Sequence, residues 1–255
     1  MKLRKNLSLF ARTADTLTGA GRVAAVLLVM LFSMTAQTAW AQNNIVTQDN
    51  FSDFFDQDGN LLNTVTDDEL IFQGEFTDDL GGIIIIPDGI TLTGNNAVLY
   101  NIALRITGSD VTVTGFTLNE NGAVFTDNDG NLIDNDGAAI YVSGSDVTLD
   151  GVSVTYNAPS EVEAKAIFAN GATNFKLINS EIIFTGVNPG SEYYRGLEVR
   201  DCDAAIIDNN AISALLPAAP IDWNVSGTID QDLVLAVGIQ GGENVVNDWY
   251  NCSNN

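Results

Sequence analysis

The stretch Asp110-Val111-Thr112-Val113-Thr114-Gly115-Phe116-Thr117-Leu118 recurs three more times without gaps, as DVTLDGVSV (146–154), NFKLINSEI (174–182) and AAIIDNNAI (204–212). Counted from the second residue of each copy, apolar side chains fall at offsets 0, 2 and 7. They are Val111, Val113 and Leu118; Val147, Leu149 and Val154; Phe175, Leu177 and Ile182; and Ala205, Ile207 and Ile212. An alternating apolar pair, a bend and a return to apolar reads as strand, turn, strand, because successive side chains alternate across a strand. Gly115, Gly151, Asn179 and Asn209 stand at the bend, and Gly and Asn tolerate a left-handed backbone. Phe116, Val152, Ser180 and Asn210 follow at offset 5.

Each copy is preceded by a second short apolar strand. The pairs are Leu104/Ile106 before Gly108, Ile140/Val142 before Gly144, Ile167/Ala169 before Gly171, and Leu197/Val199 before Cys202. Val237/Ile239 before Gly241 continues the series into a weaker fifth copy at Asn244-Val245, where Asn247 breaks the pattern. An upstream partial copy runs from Ile83 through Ile90-Thr91-Leu92. The anchors of the successive copies fall at positions 111, 147, 175, 205 and 245. Self-similarity with a period of this order marks a stacked repeat array, and strand-rich units without a helical period exclude helical solenoids. Each unit alone has an apolar stripe it cannot bury, so units stack with parallel strands in register. The rival fold is a β-sandwich, whose strands also alternate, but a sandwich has no need to repeat one strand-bend-strand phrase four times. The expectation is an all-β, right-handed parallel β-helix (solenoid) of about five to six coils over 81–255, with an N-terminal cap region over 42–80.

Composition narrows the function. The 255 residues include no His, which excludes Ser-His-Asp and Cys-His catalysis, HExxH zinc sites and imidazole acid/base chemistry. The N-terminus carries Lys2, Arg4, Lys5, Arg12 and Arg22, then the apolar run Val23–Phe32, then Ala39-Trp40-Ala41. This is the order of a signal peptide over 1–41, and its apolar run is too short to span a bilayer. An uncleaved N-terminal anchor is the rival reading. Beyond residue 41 the chain has 5 basic residues (Arg105, Lys165, Lys176, Arg195, Arg200) and 32 acidic ones, a net charge of −27. Such a chain repels nucleic acid and anionic lipid, and no later apolar stretch reaches membrane length. The protein is therefore expected to be exported, with no nucleic-acid partner and no membrane span after signal cleavage.

The repeat phrase, with Val or Ile first, Gly or Asn at the bend and Ile or Leu after it, resembles the parallel β-helix repeat of pectin-lyase-like proteins. The approach to it sharpens the likeness: Asp56-Gln57-Asp58-Gly59-Asn60-Leu61, Asp68-Glu69-Leu70-Ile71-Phe72, and Leu92-Thr93-Gly94-Asn95-Asn96-Ala97-Val98-Leu99. These stretches are similar to the N-terminal cap and first coils of microbial adhesin-like β-helix surface proteins, over about residues 50–250. The resemblance implies a secreted or cell-surface, adhesin-like and non-catalytic module contacting carbohydrate or a cell-surface glycan. The alternative is a polysaccharide lyase or glycoside hydrolase related to pectate lyases. Pectate lyases on this fold use clustered Asp for calcium and an Arg as base, which directs attention to Arg195 and to Arg200, followed by Asp201 and Asp203. The polygalacturonase arrangement needs a Gly-His-Gly element, and this chain has no His. An enzyme should set Arg195 or Arg200 in a cleft with two or more carboxylates, whereas a binding module should present a shallow aromatic face.

Connections at 119–137, 155–164, 185–195 and 213–232 are unequal in length and collect at one point of the repeat. They carry Phe125, Tyr156, Tyr193, Tyr194 and Trp223. Insertions gathered on one side of a solenoid usually form its binding face, although aromatic rings more often bury their area within their own loops. Within the first loop Asp127, Asp129 and Asn131 match the first three ligand positions of an EF-hand, but Leu132 replaces the needed Gly and Ala138 the bidentate Glu. The EF-hand reading fails. A looser calcium loop there, or at Asp56-Gln57-Asp58-Gly59-Asn60, competes with plain Asx-Gly turns. No residue is assigned a catalytic, cofactor-binding or metal-ligating role, and no cofactor is called for; calcium is the one ion with candidate loops. Cys202 and Cys252 are the only cysteines, and an oxidising compartment would permit their pairing. The end at Asn251-Cys252-Ser253-Asn254-Asn255 carries no polar cap. An open strand edge there implies continuation of the β-helix in a longer chain, or a partner on that edge.

Overall fold

A computed structural model describes residues 44–66, 68–77, 82–120, 138–157, 164–185, 193–214, 221–229 and 234–240. The leader segment and the fifth copy at Asn244 lie outside these residues, as do Cys252 and the candidate calcium loop at 126–137. All the described strands belong to one unit, Ile45–Asn255. No helix among the described residues is long and apolar enough to cross a membrane.

The fold is all-β. β1 (Ile45–Val46) and a 3-10 turn (Gln48–Asp53) lead to β2 (Glu69–Phe76), β3 (Ile83–Ile86), β4 (Thr91–Tyr100) and β5 (Ala103–Ile106). The first full copy of the repeat forms β6 (Thr112–Thr114) and β7 (Thr117–Glu120), and β8 (Ile140–Val142) follows. The second forms β9 (Thr148–Asp150) and β10 (Ser153–Asn157), then β11 (Ala164–Asn170). The third gives β12 (Lys176–Ile178) and β13 (Glu181–Thr185), then β14 (Tyr193–Arg200). The fourth is one continuous strand, β15 (Ala205–Ala214), and two further strands are β16 (Ile221–Ile229) and β17 (Val234–Gln240).

The expected register holds rung by rung. Leu92, Val113, Leu149, Leu177 and Ile207 align across parallel neighbours. Past the bend, Leu99, Leu118, Val154, Ile182 and Ile212 do the same. The preceding strands make a second parallel sheet, in which Leu104, Ile140, Ile167 and Leu197 align. β4 pairs with both β6 and β7, and β15 with both β12 and β13, so each of these strands carries the bend within itself. Every offset-0, offset-2 and offset-7 residue of the four copies is buried in one continuous core. The upstream copy is also present: β3 pairs with β5, and β4 carries Leu92 and Leu99 with Asn95 and Asn96 as extra residues at its bend. The parallel ladder then reaches β2, where Leu70 pairs with Leu92, inside the stretch read as the N-terminal cap.

Left-handed backbone occurs where the bend demands it, at Gly115, Gly151, Asn179 and Asn209. A second set opens each copy: Asp110, Asp146, Asn174 and Ala204, with φ of 54–58°. Amides of this set reach across to the next copy, as from Asp146 to the Thr173 carbonyl at 2.8 Å. The first three are Asx residues, which accept this conformation; Ala204 does so at a cost. At the N-terminal end Phe51, Phe54 and Phe55 close the core. Phe51 stacks on Phe55 at 4.7 Å, and Phe72 meets Phe76 and Phe116 at 5.3 and 5.2 Å.

Two expectations need correcting, while the open edge expected at Asn251–Asn255 lies outside the described residues. Val237 and Ile239 do not continue the parallel series: β17 runs antiparallel to β14, with Leu197 opposite Val237. β16 likewise runs antiparallel to β15. The link from Ala214 to Ile221 is short, which suits a hairpin return, whereas a parallel partner needs a long crossover. The edges of the last parallel strands are therefore paired. The connections are also shorter than expected. Tyr156 belongs to β10 and is buried, Tyr193 and Tyr194 open β14, and Trp223 lies in β16. Phe125 lies outside the described residues.

Candidate functional site

In the second sheet Leu104/Ile106, Ile140/Val142, Ile167/Ala169 and Leu197/Val199 face the core, so the residue between each pair faces outward. In register these are Arg105, Tyr141, Phe168 and Glu198. The row is in contact from Arg105 to Phe168, and Lys165 and Arg200 link Phe168 to Glu198. The Arg105 guanidinium lies 5.8 Å from the Tyr141 ring centre, and Tyr141 meets Phe168 edge to face at 5.6 Å. The Lys165 ammonium sits 4.4 Å from the Phe168 ring centre and the Arg200 guanidinium 5.4 Å from it.

Glu198 is the electrostatic centre. Its Oε2 accepts from Arg195 Nη1, its Oε1 accepts from Arg200 Nη2, and Lys165 Nζ stands 3.5 Å from Oε2. Lys165 and Arg195 are register partners at the start of β11 and β14, so the ladder itself brings their charges together. Glu198 and Lys165 are 0% and 1% exposed, whereas Arg195 is 20% and Arg200 38% exposed. The cluster thus has a dry interior and a wet arginine rim. A buried carboxylate persists only when its charge is balanced and its oxygens are hydrogen-bonded; the two arginines supply the hydrogen bonds and Lys165 adds to the balancing charge.

The two arginines singled out in the sequence are brought together. Both reach the carboxylate of Glu198 rather than that of Asp201 or Asp203 among the described residues. Lys165, Tyr141, Phe168 and Arg105 went unnoticed as a group, because they are spread over three successive strands, β5, β8 and β11, and acquire a common meaning only once the register is known. The signal was in the sequence: Arg105, Tyr141 and Phe168 each stand between two apolar partners of the pre-repeat strand, and Lys165 lies two residues ahead of such a pair.

The other candidates resolve into structural roles. The Asp56 carboxylate accepts from the Asp58 and Asn60 amides at 2.9 and 2.8 Å and from the Asn60 side chain at 3.2 Å. These bonds, the Asn60 amide first, hold its pKa below the ordinary value. It is an Asx turn. Among the described residues no three His, Cys, Asp or Glu side chains gather to hold a metal. Cys202 is a buried free thiol that donates to the Arg200 carbonyl at 3.2 Å. Burial raises its pKa, which suppresses thiolate chemistry.

A second buried polar pair lies inside the core. Glu120 and Tyr156 are register partners on β7 and β10, each 1% exposed. Burial pushes the Glu120 carboxyl from 4.5 up to about 8, against a smaller opposing pull from the Ile102 amide. Its two oxygens make no hydrogen bond of ordinary geometry among the described residues. Burial, with the nearby Glu120 charge, raises Tyr156 as well. Comparison with protein-family models, curated proteins and solved structures finds no match for this chain.

Proposed function

We propose that this chain is a right-handed parallel β-helix acting outside the cell as an adhesin-like, non-catalytic module that contacts carbohydrate. The β-helix reading is supported by the same register recurring copy after copy in each parallel ladder, with successive partners drawn from successive copies of the repeat. The placement outside the cell rests on the leader-like N-terminus and on the strongly acidic composition. The observation that carries the functional reading is the partly exposed set Arg105, Tyr141, Arg195 and Arg200, held on the outer side of the second sheet over the buried Phe168 and Glu198. Tyr141 offers a half-buried ring for the apolar face of a sugar, and the arginines offer planar arrays of N–H donors for its oxygens.

A lyase or hydrolase is the weaker reading. Arg195 and Arg200 share a carboxylate that they neutralise, and no base, orienter and reacting-atom position are assembled around it among the described residues. The test is to present the purified protein to a glycan array and, in parallel, to follow the retained glycans for new reducing or unsaturated ends. Retention without new ends is the expected result, with Tyr141→Ala weakening it. New ends produced by the protein would overturn the non-catalytic reading, and no retention on any glycan would overturn the carbohydrate reading.

A further inference from the structure

We infer that Glu120 is a pH-sensitive latch on the last rung between β7 and β10. With its proton it stays in the core; on losing the proton it opens that rung to water while the rest of the core remains folded. The inference is independent of the carbohydrate reading. Its basis is a carboxyl group sealed in the interior without a counter-charge. Glu120 is 1% exposed, follows Leu118 on the core-facing side of β7, and neither of its oxygens has a hydrogen-bond partner among the described residues. A carboxyl group in that setting costs far less to bury neutral than charged.

The surroundings offer it no cation. Tyr156 faces Glu120 from β10 as its register partner. The one titratable residue of β4 is Tyr100, which pairs with Asn119 and so lies on the outward side. On the second sheet Arg105 of β5 and Tyr141 of β8 stand on the outward row, and Lys165 of β11 stands at Glu198 with Arg195 and Arg200 of β14. Lys176, the remaining basic residue beyond position 41, lies exposed on β12. Residues 121–137 lie outside the described residues, and their sequence holds Asp127, Asp129, Asp134 and Asp136 but no Lys or Arg. Burial accordingly raises the Glu120 carboxyl to about 8, and burial with the Glu120 charge raises Tyr156.

The opening is local because the ladder ends at this residue. Glu120 closes β7, and the pairing of β7 to β4 stops one residue earlier, at Asn119 opposite Tyr100. Glu120 is therefore laddered only to Tyr156 of β10. Breaking that one rung brings the carboxyl to water, whereas Leu118 stays held between Leu99 and Val154. Openings of this size lie at the low end of the stability range within a folded chain. The open form releases a proton that the closed form keeps, so the open fraction grows about tenfold per pH unit from 4.5 to about 8 and levels off above.

The experiment follows amide hydrogen exchange of the purified full chain by mass spectrometry from about pH 5 to about pH 9, corrected for the base catalysis common to all amides. Thr148–Asp150, paired on both sides, is the reference. Protection around Glu120 and Tyr156 at least about tenfold below the reference, and falling further as pH rises to about 8, is the expected result. The fall with pH should vanish in Glu120→Gln and in Glu120→Leu, which fills the site with an apolar group. Equal protection and equal pH dependence in the rung and the reference would show that only global unfolding hydrates the carboxyl, and would overturn the latch. Protection around Glu120 that ignores pH in the wild-type chain would overturn the titration. A fall that persists in both variants would overturn the role of Glu120 and assign the proton to another group.

Discussion

Just past the bend, the earlier copies put Ala97, Phe116 and Val152 into the interior, whereas the two later ones put Ser180 and Asn210 there, and all five are buried. In the earlier region the position is filled by apolar bulk, with Phe116 packed against Phe72 and so joined to the aromatic cluster of the N-terminal end. In the later region it is filled by a climbing chain of hydrogen bonds. The Val152 amide donates to Ser180 Oγ at 3.2 Å, and Ser180 Oγ donates to the Ile178 carbonyl at 2.8 Å. The Ser180 amide donates to Asn210 Oδ1 at 2.9 Å, and Asn210 Nδ2 donates to the Leu177 carbonyl at 2.7 Å. A bend interrupts the ladder and exposes main-chain groups that must be paired if they are buried. The comparison teaches that one geometric slot can be stabilised by dispersion or by main-chain pairing, and that polar residues at an interior position need not weaken a stack.

The sharpest way to break this comparison is to truncate each side of it. Phe116→Ala removes a buried ring from a packed cluster and should destabilise by about 3–5 kcal/mol, measured by denaturant unfolding. A loss under about 1 kcal/mol would mean the aromatic column is not the anchor of the early copies. Asn210→Leu keeps the bulk but strands the Ser180 amide and the Leu177 carbonyl in the core, so a loss of about 2–4 kcal/mol is expected. Stabilisation by this substitution would show that packing, not pairing, decides the later copies too.

Glu120 tests the rule from the opposite side, as an interior polar group without such pairing. Its folded pKa of about 8 exceeds the ordinary 4.5, so the folded protein holds a proton that the unfolded chain releases between those values. Stability should therefore fall as pH rises from about 4.5 to about 8. Glu120→Gln should remove this slope and stabilise the protein by about 1–2 kcal/mol at pH 8, less than the full linkage because a buried amide still lacks partners. An unchanged slope in the variant would place the titration elsewhere. The smallest effect concerns the turn that opens each copy, where Asp110, Asp146 and Asn174 give way to Ala204 in the same left-handed conformation. Ala204→Asn should raise stability by about 1 kcal/mol, read as a shift in thermal midpoint, and no gain would show that this turn relaxes freely.

The strand-bend-strand phrase was legible because its apolar offsets are the same in every copy and because parallel stacking requires that constancy. The Asx signal before each copy was equally present at Asp110, Asp146 and Asn174, but Ala204 hides it in the fourth copy and only the backbone angle reveals the shared turn. The antiparallel return of β16 and β17 was not legible. Val237 and Ile239 alternate as a parallel strand would, and alternation is blind to strand direction. Tyr156 was misplaced because its strand, Ser153–Asn157, runs on beyond the end of the repeat phrase at Val154.

By itself the sequence determined the all-β class, the repeat, its register and the chemistry it forgoes for want of histidine, since these follow from local periodicity and composition. Tertiary structure alone decided the site. Arg105, Tyr141, Phe168 and Glu198 each come from a different copy, and no local pattern connects them. They meet because the parallel register sets equivalent positions of successive strands side by side, a few ångströms apart, and the charges and rings on that row then find partners that no single copy contains.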